Sequence, residues 1–268
     1  MASAPQSNQL PLFYKDLAPL NLQDHGNFRA RRTDKAPWLA SQHAIPLTVE
    51  EISLAQRDYP VVFSSGDNPV PLGLMGMSEG VNVFVEEDGT LKEQVYMPAY
   101  VRRYPFLLAK IKPEAEELSL CFDPTSDLVG EFEDGELLFE NGEASEHTQN
   151  TLKFCEQFEL SGNKTASFIA ELNKHELLME GELSVKREGI EDPVVYRGFK
   201  MVNQDKLREL RGDVLRTWNQ NGMLPLIFAH LYSLDLVRDI VGRQIRHSGP
   251  AEQLSTGNAA DGAAPSND

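Results

Sequence analysis

The chain has 268 residues, of which 41% are apolar, and this composition is ordinary for a globular protein with a substantial core. Its 41 acidic and 25 basic residues leave a formal net charge of −16, which opposes nonspecific binding to nucleic acid or to an anionic membrane surface. The sequence contains neither a secretory signal nor an apolar run long enough to span a bilayer. We therefore expect a soluble, cytoplasmic protein.

The two ends of the chain differ in composition from the rest. Residues 1–10 are polar and rich in small side chains, and residues 249–268 contain almost no large apolar side chain. Such segments bury too little apolar surface to fold, so both are expected to be flexible. Because no internal repeat or long linker interrupts residues 11–248, this region is predicted to form a single domain.

Strand and helix signals alternate in the first part of the chain. Residues 27–32 read NFRARR, which predicts a strand whose three arginines either meet acidic residues or lie on a solvated face. Thr48 and Glu51 match a capping box, which predicts a helix over residues 48–59. Pro60 ends that helix, because proline disfavours helical backbone in the residue before it.

Further strands are predicted after this helix. Residues 61–63 read VVF, which predicts a buried strand. Residues 81–85 and 91–96 are predicted to pair as a hairpin within a β-meander. Gly89 supplies the positive φ that the hairpin turn requires.

Residues 95–109, which read VYMPAYVRRYPFLLA, form the densest apolar and aromatic run in the chain and contain Arg102 and Arg103. A run of this composition is expected to be buried. Buried arginine is tolerated only beside a carboxylate, a backbone carbonyl or a bound anion. A helix is predicted over residues 98–108, kinked or divided at Pro105. We expect the fold to be organised around this charged, buried run.

The second half of the chain is richer in helix signals. Ser145 is predicted to cap a helix on which Cys155 faces the core, and a break near Gly162 is predicted to separate it from a second helix. The further predicted elements are strands over residues 177–185 and 194–201 and helices over residues 205–218, 223–231 and 233–245. Asn203 or Asp205 is predicted to cap the first of these helices, Gly222 to end it, and Ser233 to cap the last one. Together the elements predict an α+β fold with a mainly antiparallel β-sheet core and a helical C-terminal half.

Six blocks of the sequence carry a resemblance to a known family. They are YPVVF (59–63), PLGLMG (71–76), VNVFVEEDG (81–89), YMPAYVRRYPF (96–106), YRGFKMV (196–202) and AHLYSLDLV (229–237). In this order they resemble the SapC family, and the resemblance runs from Ala18 to Ile245. It implies a bacterial protein linked to surface-layer or nutrient-uptake systems, because relatives are often encoded near outer-membrane receptors. It implies no particular reaction.

Arginines and tyrosines of the central run are the candidate ligand-binding residues. One hypothesis is that an arginine binds the carboxylate or phosphate of a small anionic ligand in a two-pronged contact, in a pocket lined by the tyrosines. The alternative is an internal ion pair with an acid such as Glu86, Glu87 or Asp88, and tyrosines that belong to the core. The candidates are Arg102, Arg103, Tyr96, Tyr100 and Tyr104.

Catalytic, metal and cofactor motifs are missing from the sequence. The histidines lack HxH, HxD and HExxH spacing, and no P-loop, GxGxxG or GxSxG occurs, so no metal and no cofactor are predicted. His230, in the apolar run FAHLYSL, is a further candidate site residue, and a buried, hydrogen-bonded core histidine is the preferred interpretation. Cys121 and Cys155 are interpreted as reduced, buried thiols.

The apolar closing helices allow two interpretations. Met223, Leu224, Leu226 and Ile227 either bury a partner surface or pack onto the protein's own sheet. We predict an accessory or binding protein that works with a protein partner of a bacterial surface-layer or outer-membrane uptake system, without catalytic chemistry of its own. The alternative is an enzyme, or a binder of a small anionic ligand, that uses a pocket around the two adjacent arginines.

Overall fold

The computed structural model describes residues 10–111, 117–185 and 194–248. These residues belong to two compact units. The first comprises the chain up to Lys35 together with Ala99–Asn163, and the second comprises Ala36–Pro98 together with the chain from Lys164 onward. Apart from Leu10, the segments predicted to be flexible, 1–10 and 249–268, lie outside the described residues. The single domain expected over residues 11–248 stays a prediction.

Strands and helices alternate through the chain and confirm the α+β class. The strands are β1 (Ala18–Pro19), β2 (Arg29–Ala30), β3 (Ala44–Pro46), β4 (Val61–Ser64), β5 (Pro71–Leu74), β6 (Phe106–Ala109), β7 (Ser119–Phe122), β8 (Val129–Gly130), β9 (Glu136–Leu137), β10 (Phe139–Glu140), β11 (Glu143–Ala144), β12 (Leu178–Glu180), β13 (Leu183–Val185), β14 (Val194–Tyr196) and β15 (Phe199–Val202). The helices are α1 (Leu22–His25), α2 (Ile52–Ala55), α3 (Ala99–Arg102), α4 (Glu146–Lys174), α5 (Gln204–Arg208), α6 (Gly212–Gln220), α7 (Met223–Ser233) and α8 (Val237–Ser248).

In the first unit, two three-stranded sheets have the orders β1-β7-β6 and β8-β2-β9, and β10 pairs with β11. Every pairing is antiparallel. Ala30 on β2, Phe122 on β7 and Cys155 on α4 belong to one apolar core. The strand predicted within residues 27–32 is thus confirmed, although only its central dipeptide pairs with other strands.

The second unit is built on a five-stranded antiparallel sheet with the order β12-β15-β4-β5-β3. Val61, Val62 and Phe63 of the central strand β4 are fully buried, which confirms the strand predicted there. Helix α7 packs on β4 and β15. A central strand that is buried on both faces carries apolar side chains at successive positions rather than at alternate ones.

Local signals fixed several element ends in this unit. Thr48 and Glu51 form the predicted capping box, and the Thr48 N–H lies 2.8 Å from Glu51 Oε2. The helix is shorter than predicted, because a 3-10 turn precedes α2 and the helix ends at Ala55. Asn203 caps α5 by accepting from two backbone N–H groups, and Gly222, with a φ of 80°, separates α6 from α7 as predicted.

The hairpin predicted for residues 81–85 and 91–96 is confirmed only beside its turn. These segments meet only at the isolated bridge Val85–Leu91, although the turn at Gly89 has the predicted positive φ of 86°. The buried Asn82 explains why the strands do not pair further. Its side-chain NH2 group donates to the carbonyls of Leu39 and Gln42, and its side-chain oxygen accepts from the Phe84 N–H. The Val83 N–H donates to the Met75 carbonyl, so the bond from the Lys92 N–H to the Phe84 carbonyl is what links this segment to its predicted partner.

The helix break predicted near Gly162 is wrong, because the 29-residue helix α4 continues through it. A glycine inside a helix costs about 1 kcal/mol relative to alanine, which the packing of the flanking turns offsets. In contrast, the single helix predicted over residues 205–218 is divided into α5 and α6. No helix of the described residues combines the length and the apolar character needed to cross a membrane.

We expect Gly89→Ala to destabilise the protein far more than Gly66→Ala. Both glycines have positive φ, but a Cβ at Gly66 meets open space, whereas one at Gly89 would lie 2.2 Å from the backbone nitrogen of Pro37. The expected loss of unfolding free energy in urea is about 1 kcal/mol for Gly66→Ala and about 3 kcal/mol for Gly89→Ala. Equal losses would show that the close approach of the two backbones carries no stability.

Candidate functional site

The candidate residues belong to different units. Tyr96 and His230 are in the second unit, whereas Tyr100, Arg102, Arg103 and Tyr104 are in the first. Within the first unit, the structure brings Arg103 and Tyr100 into direct contact. Tyr104 contacts the ring of Tyr14, which in turn lies 6.0 Å from the Arg103 guanidinium carbon.

The backbone around the two arginines is not the helix that the sequence predicts. Helix α3 ends at Arg102, and residues 106–109 form strand β6 instead of a second helical segment. Pro105 lacks the N–H that a helix needs and disfavours helical backbone in Tyr104, so the chain turns here. The two neighbouring side chains differ in burial at this turn: Arg102 is exposed and Arg103 is buried.

Arg103 lies among aromatic rings. Its guanidinium carbon is 4.2 Å from the ring centroid of Phe158 and 4.4 Å from that of Tyr100. The acid beside it is Glu159, whose Oε1 is 3.9 Å from Nη1, and not one of the acids at positions 86–88 that the sequence suggested. The side chain is only 7% exposed, and its Nε has no hydrogen-bond partner. The ring faces of Phe158 and Tyr100 therefore contribute to stabilising the buried Arg103 cation.

Burial shifts the titration of the groups around Arg103. The pKa of Glu159 is raised because burial disfavours its charged form, and the nearby guanidinium only partly opposes this effect. The pKa of Tyr100 is raised by burial, again opposed by Arg103. Tyr14 is buried, its pKa is raised for the same reason, and its hydroxyl donates to the Phe106 carbonyl at 2.7 Å. These tyrosines are therefore neutral hydrogen-bond donors.

Sequence reasoning missed Tyr14, Phe158 and Glu159 as neighbours of Arg103. Phe158 lies three positions after Cys155, at the spacing of the predicted core face of this helix, and Glu159 is next to it in sequence, which was the available signal. Tyr14 offered no signal, because it is 89 positions from Arg103 in the chain. Arg102 lies with its guanidinium carbon 5.2 Å from the centroid of the Phe154 ring.

Tyr96 is held by three polar contacts inside the second unit. Its N–H donates to Asp58 Oδ2 at 2.7 Å, and its carbonyl accepts from the Tyr59 hydroxyl at 3.1 Å. Its own hydroxyl donates to Glu51 Oε1 at 3.0 Å. These contacts fasten the segment that precedes α3 to the capping-box region of its own unit.

His230 is fully buried and makes a hydrogen bond at each ring nitrogen. Nδ1 is 2.7 Å from the Val61 carbonyl oxygen, and Nε2 is 3.1 Å from the Val202 backbone nitrogen. A backbone N–H can only donate, so Nε2 accepts and the ring proton is on Nδ1. Burial lowers the pKa of His230 to about 4, against the opposing effect of the Val61 carbonyl. The imidazole is therefore neutral at pH 7.

The two cysteines are free and buried, which confirms their interpretation as reduced core thiols. Burial raises the pKa of both Cys121 and Cys155 to about 11, so each is a neutral thiol at pH 7. In the part of the chain that the structure describes, no three His, Cys, Asp or Glu side chains form a group that could hold a metal ion.

The closing helix α7 has a buried and an exposed side. Met223 and Ile227 are buried, which fits the interpretation that this face packs within the protein. Phe228 and Tyr232, four positions apart on the other side, are exposed and stack on each other. Sequence reasoning missed this pair. The usable signal was that Phe228 follows the core residue Ile227 by one position, which places it on a different side of the helix, and that Tyr232 comes one turn later on that same side.

The arginines are expected to differ in their contribution to stability. Arg103→Met removes two ring contacts and leaves Glu159 without its cation, so we expect a loss of about 2 kcal/mol in unfolding free energy. Arg102→Met, the matched control at an exposed position, is expected to cost less than about 1 kcal/mol. Urea unfolding at pH 7 measures both. If Arg103→Met costs no more than Arg102→Met, the ring contacts are not stabilising.

Comparison with known proteins adds one finding to this geometry. No curated protein and no solved structure matches the chain. A family model described as SapC matches residues 20–240, which include α3, both arginines and the whole five-stranded sheet with its covering helix α7. Since the match covers most of the sequence, the chain belongs to the SapC family.

Proposed function

We propose that this protein is a non-catalytic accessory protein of a bacterial surface-layer or outer-membrane uptake system, and that it binds a protein partner through the exposed side of α7. One observation carries the proposal. The rings of Phe228 and Tyr232 stack with their centroids 5.9 Å apart at an interplanar angle of 24°, yet the residues are 38% and 68% exposed. The setting follows from the family's associations, and a cytoplasmic location is part of the proposal.

The physical reason to expect a partner at these rings is that their hydration is unfavourable. Exposed aromatic side chains are enriched among the residues that dominate protein–protein binding energy, because they bury large areas with few rotatable bonds. Leu54 on α2, a helix that packs against α7, is also 41% exposed. Apart from the buried His230, α7 carries no ionisable side chain other than Tyr232. A partner can therefore cover the exposed side of α7 without desolvating a charge of that helix.

The state of the potentially reactive groups supports a non-catalytic role. His230 has both ring nitrogens engaged by backbone groups. Cys121 and Cys155 are buried neutral thiols. A nucleophile or general base needs access to a substrate and a pKa near the working pH, and these three groups have neither.

The test places a photo-crosslinking amino acid at position 228 or 232 of the full chain in its native bacterium. We expect crosslinks to a component of a surface or uptake system from both positions. Leu160 on α4, which is 61% exposed, provides the matched control position. With the identified partner purified, Tyr232→Ser is expected to weaken binding at least about tenfold, as for a central interface aromatic, and Leu160→Ser to leave it unchanged. Equal crosslinking at all positions, or unchanged affinity of Tyr232→Ser, contradicts the proposal.

A second candidate function is the binding of a small carboxylate or phosphate at Arg103. It is favoured by one specific observation: the buried Nε of Arg103 has no hydrogen-bond partner, and the Glu159 carboxylate at 3.9 Å is beyond hydrogen-bond distance of Nη1. An anion that accepts from Nε and one terminal nitrogen would make the two-pronged contact that guanidinium favours.

Thermal unfolding of the full chain in acetate or inorganic phosphate tests this candidate. A ligand that binds only the native state raises the midpoint, and a concentration of 100 times the dissociation constant adds about 2.7 kcal/mol of stability. We expect the stabilisation in wild type and in Arg102→Met but not in Arg103→Met, with sodium chloride at equal ionic strength as the reference. The same gain in both variants rejects Arg103 as the anion site.

A further inference from the structure

The side chain of His230 occupies a position in the central sheet where a backbone hydrogen bond is expected. Strands β4 and β15 pair at Phe63–Lys200 and at Ser64–Phe199. Continuing this antiparallel register brings Val61 opposite Val202. Hydrogen-bonded pairs alternate along such a ladder, and Val61, two residues from Phe63, presents its polar groups to the same side.

At this point the imidazole mediates the contact between the strands. The Val202 N–H donates to Nε2 at 3.1 Å, and Nδ1–H donates to the Val61 carbonyl at 2.7 Å. Ser233, one turn later on α7, accepts from the Val61 N–H at 2.9 Å and donates to the His230 carbonyl at 2.6 Å. One turn of α7 thus satisfies both backbone groups of Val61 and the N–H of Val202.

Ser233 was predicted to cap the last helix, and the structure assigns its hydroxyl to this bridge instead. It makes no capping hydrogen bond to the turn that follows it. His230, Ser233, Val61 and Val202 are all buried. Because water does not replace these hydrogen bonds, the neutral imidazole with its proton on Nδ1 is required for every group to be satisfied.

Protonation of His230 would convert Nε2 from an acceptor into a donor. The Nε2–H group would then face the Val202 N–H. Two hydrogen-bond donors would point at each other without an acceptor, and a cation would be buried. The elements packed against α7 offer no compensation. Toward the imidazole, β4 presents Phe63, whose ring centroid is 4.8 Å away. The ionisable side chain of β15 is Lys200, which donates to the Gly66 carbonyl and, as a cation, does not neutralise an imidazolium.

The other packed elements also leave His230 without a charged neighbour. Helix α2 has no ionisable side chain, and Asp213 and Arg216 on α6, like Asp235 after α7, are exposed. Burial is accordingly the main influence that lowers the pKa of His230, and the Val61 carbonyl is the opposing one. Acid therefore acts on this imidazole without a nearby carboxylate to neutralise the new charge.

We infer that His230 is a pH-sensitive switch that holds α7 on β4 and β15 when it is neutral and releases the helix from Val202 when it is protonated. Its regulatory consequence rests on the proposed function: the Phe228–Tyr232 surface is carried by the same helix, so acid opening would disorganise the partner surface. The switch itself is a property of the sheet and is testable without any partner.

The direction of the pH dependence follows from linkage. The folded pKa is below the value of about 6.5 for an exposed histidine, so the unfolded or opened state binds the proton more readily. The contribution of His230 is fully present above pH 6.5. It is lost progressively as the pH falls through the range from 6.5 to about 4.

Hydrogen exchange of the full chain, corrected for the intrinsic rate at each pH, tests the switch. We expect the protection of the Val202 amide to fall by about tenfold per pH unit between pH 6.5 and pH 4. His230→Gln keeps one acceptor and one donor without titrating, so its protection profile is expected to be flat over this range. His175→Gln, a partly exposed histidine of the same unit, is the control and is expected to follow wild type. Identical profiles for wild type and His230→Gln overturn the inference.

A second measurement covers the case in which His230→Gln fails to fold. Nitrogen NMR of the wild-type side chain is expected to show the Nδ1–H tautomer at pH 7 and a titration that moves together with the Val202 amide. Titration near pH 6.5 that leaves the Val202 amide unchanged contradicts the switch. Missing crosslinks at positions 228 and 232 refute the partner surface alone, because the exchange experiment needs no partner.

Discussion

Backbone polar groups in the centre of the five-stranded sheet must be hydrogen-bonded, and this constraint determines much of the second unit. Strand β4 is buried, so water does not satisfy its N–H and C=O groups. Paired strands satisfy most of them, and His230 and Ser233 satisfy those of Val61. Helix α7 is thereby fixed to the sheet by directional bonds in addition to apolar packing, which orients both its buried and its exposed side.

The first unit meets a related problem with a different solution. A guanidinium group in an apolar region needs compensation for its lost hydration. Arg103 obtains it from the ring faces of Tyr100 and Phe158 and from the half-buried Glu159. This arrangement leaves Nε without a hydrogen-bond partner, and that unsatisfied donor makes the cluster the candidate anion site.

The buried polar groups of this chain have structural roles, and its candidate functional surface is exposed. His230 and the two cysteines, which belong to residue types that often act in catalysis, serve here in packing and hydrogen bonding. The exposed pair Phe228–Tyr232 has no such internal role beyond its own stacking. The proposed recognition of a partner at this surface rests on that difference.

The sequence by itself determined the features that depend on neighbouring residues. The Thr48–Glu51 capping box, the buried strand at residues 61–63 and the positive φ of Gly89 and Gly222 follow from local sterics and short-range hydrogen bonds. Burial of part of the arginine-bearing run followed from its composition.

Only the tertiary structure decided which residues meet. Glu159 lies beside Arg103, and His230 bridges Val61 and Val202 across 169 and 28 positions. It also decided that residues 106–109 form a strand and that the predicted hairpin at residues 81–96 is reduced to one bridge, while the Asn82 amide bonds to the Leu39 carbonyl. The physical reason is that partners distant in the chain supply these hydrogen bonds and packing contacts, and a local pattern contains no information about which partner will be near.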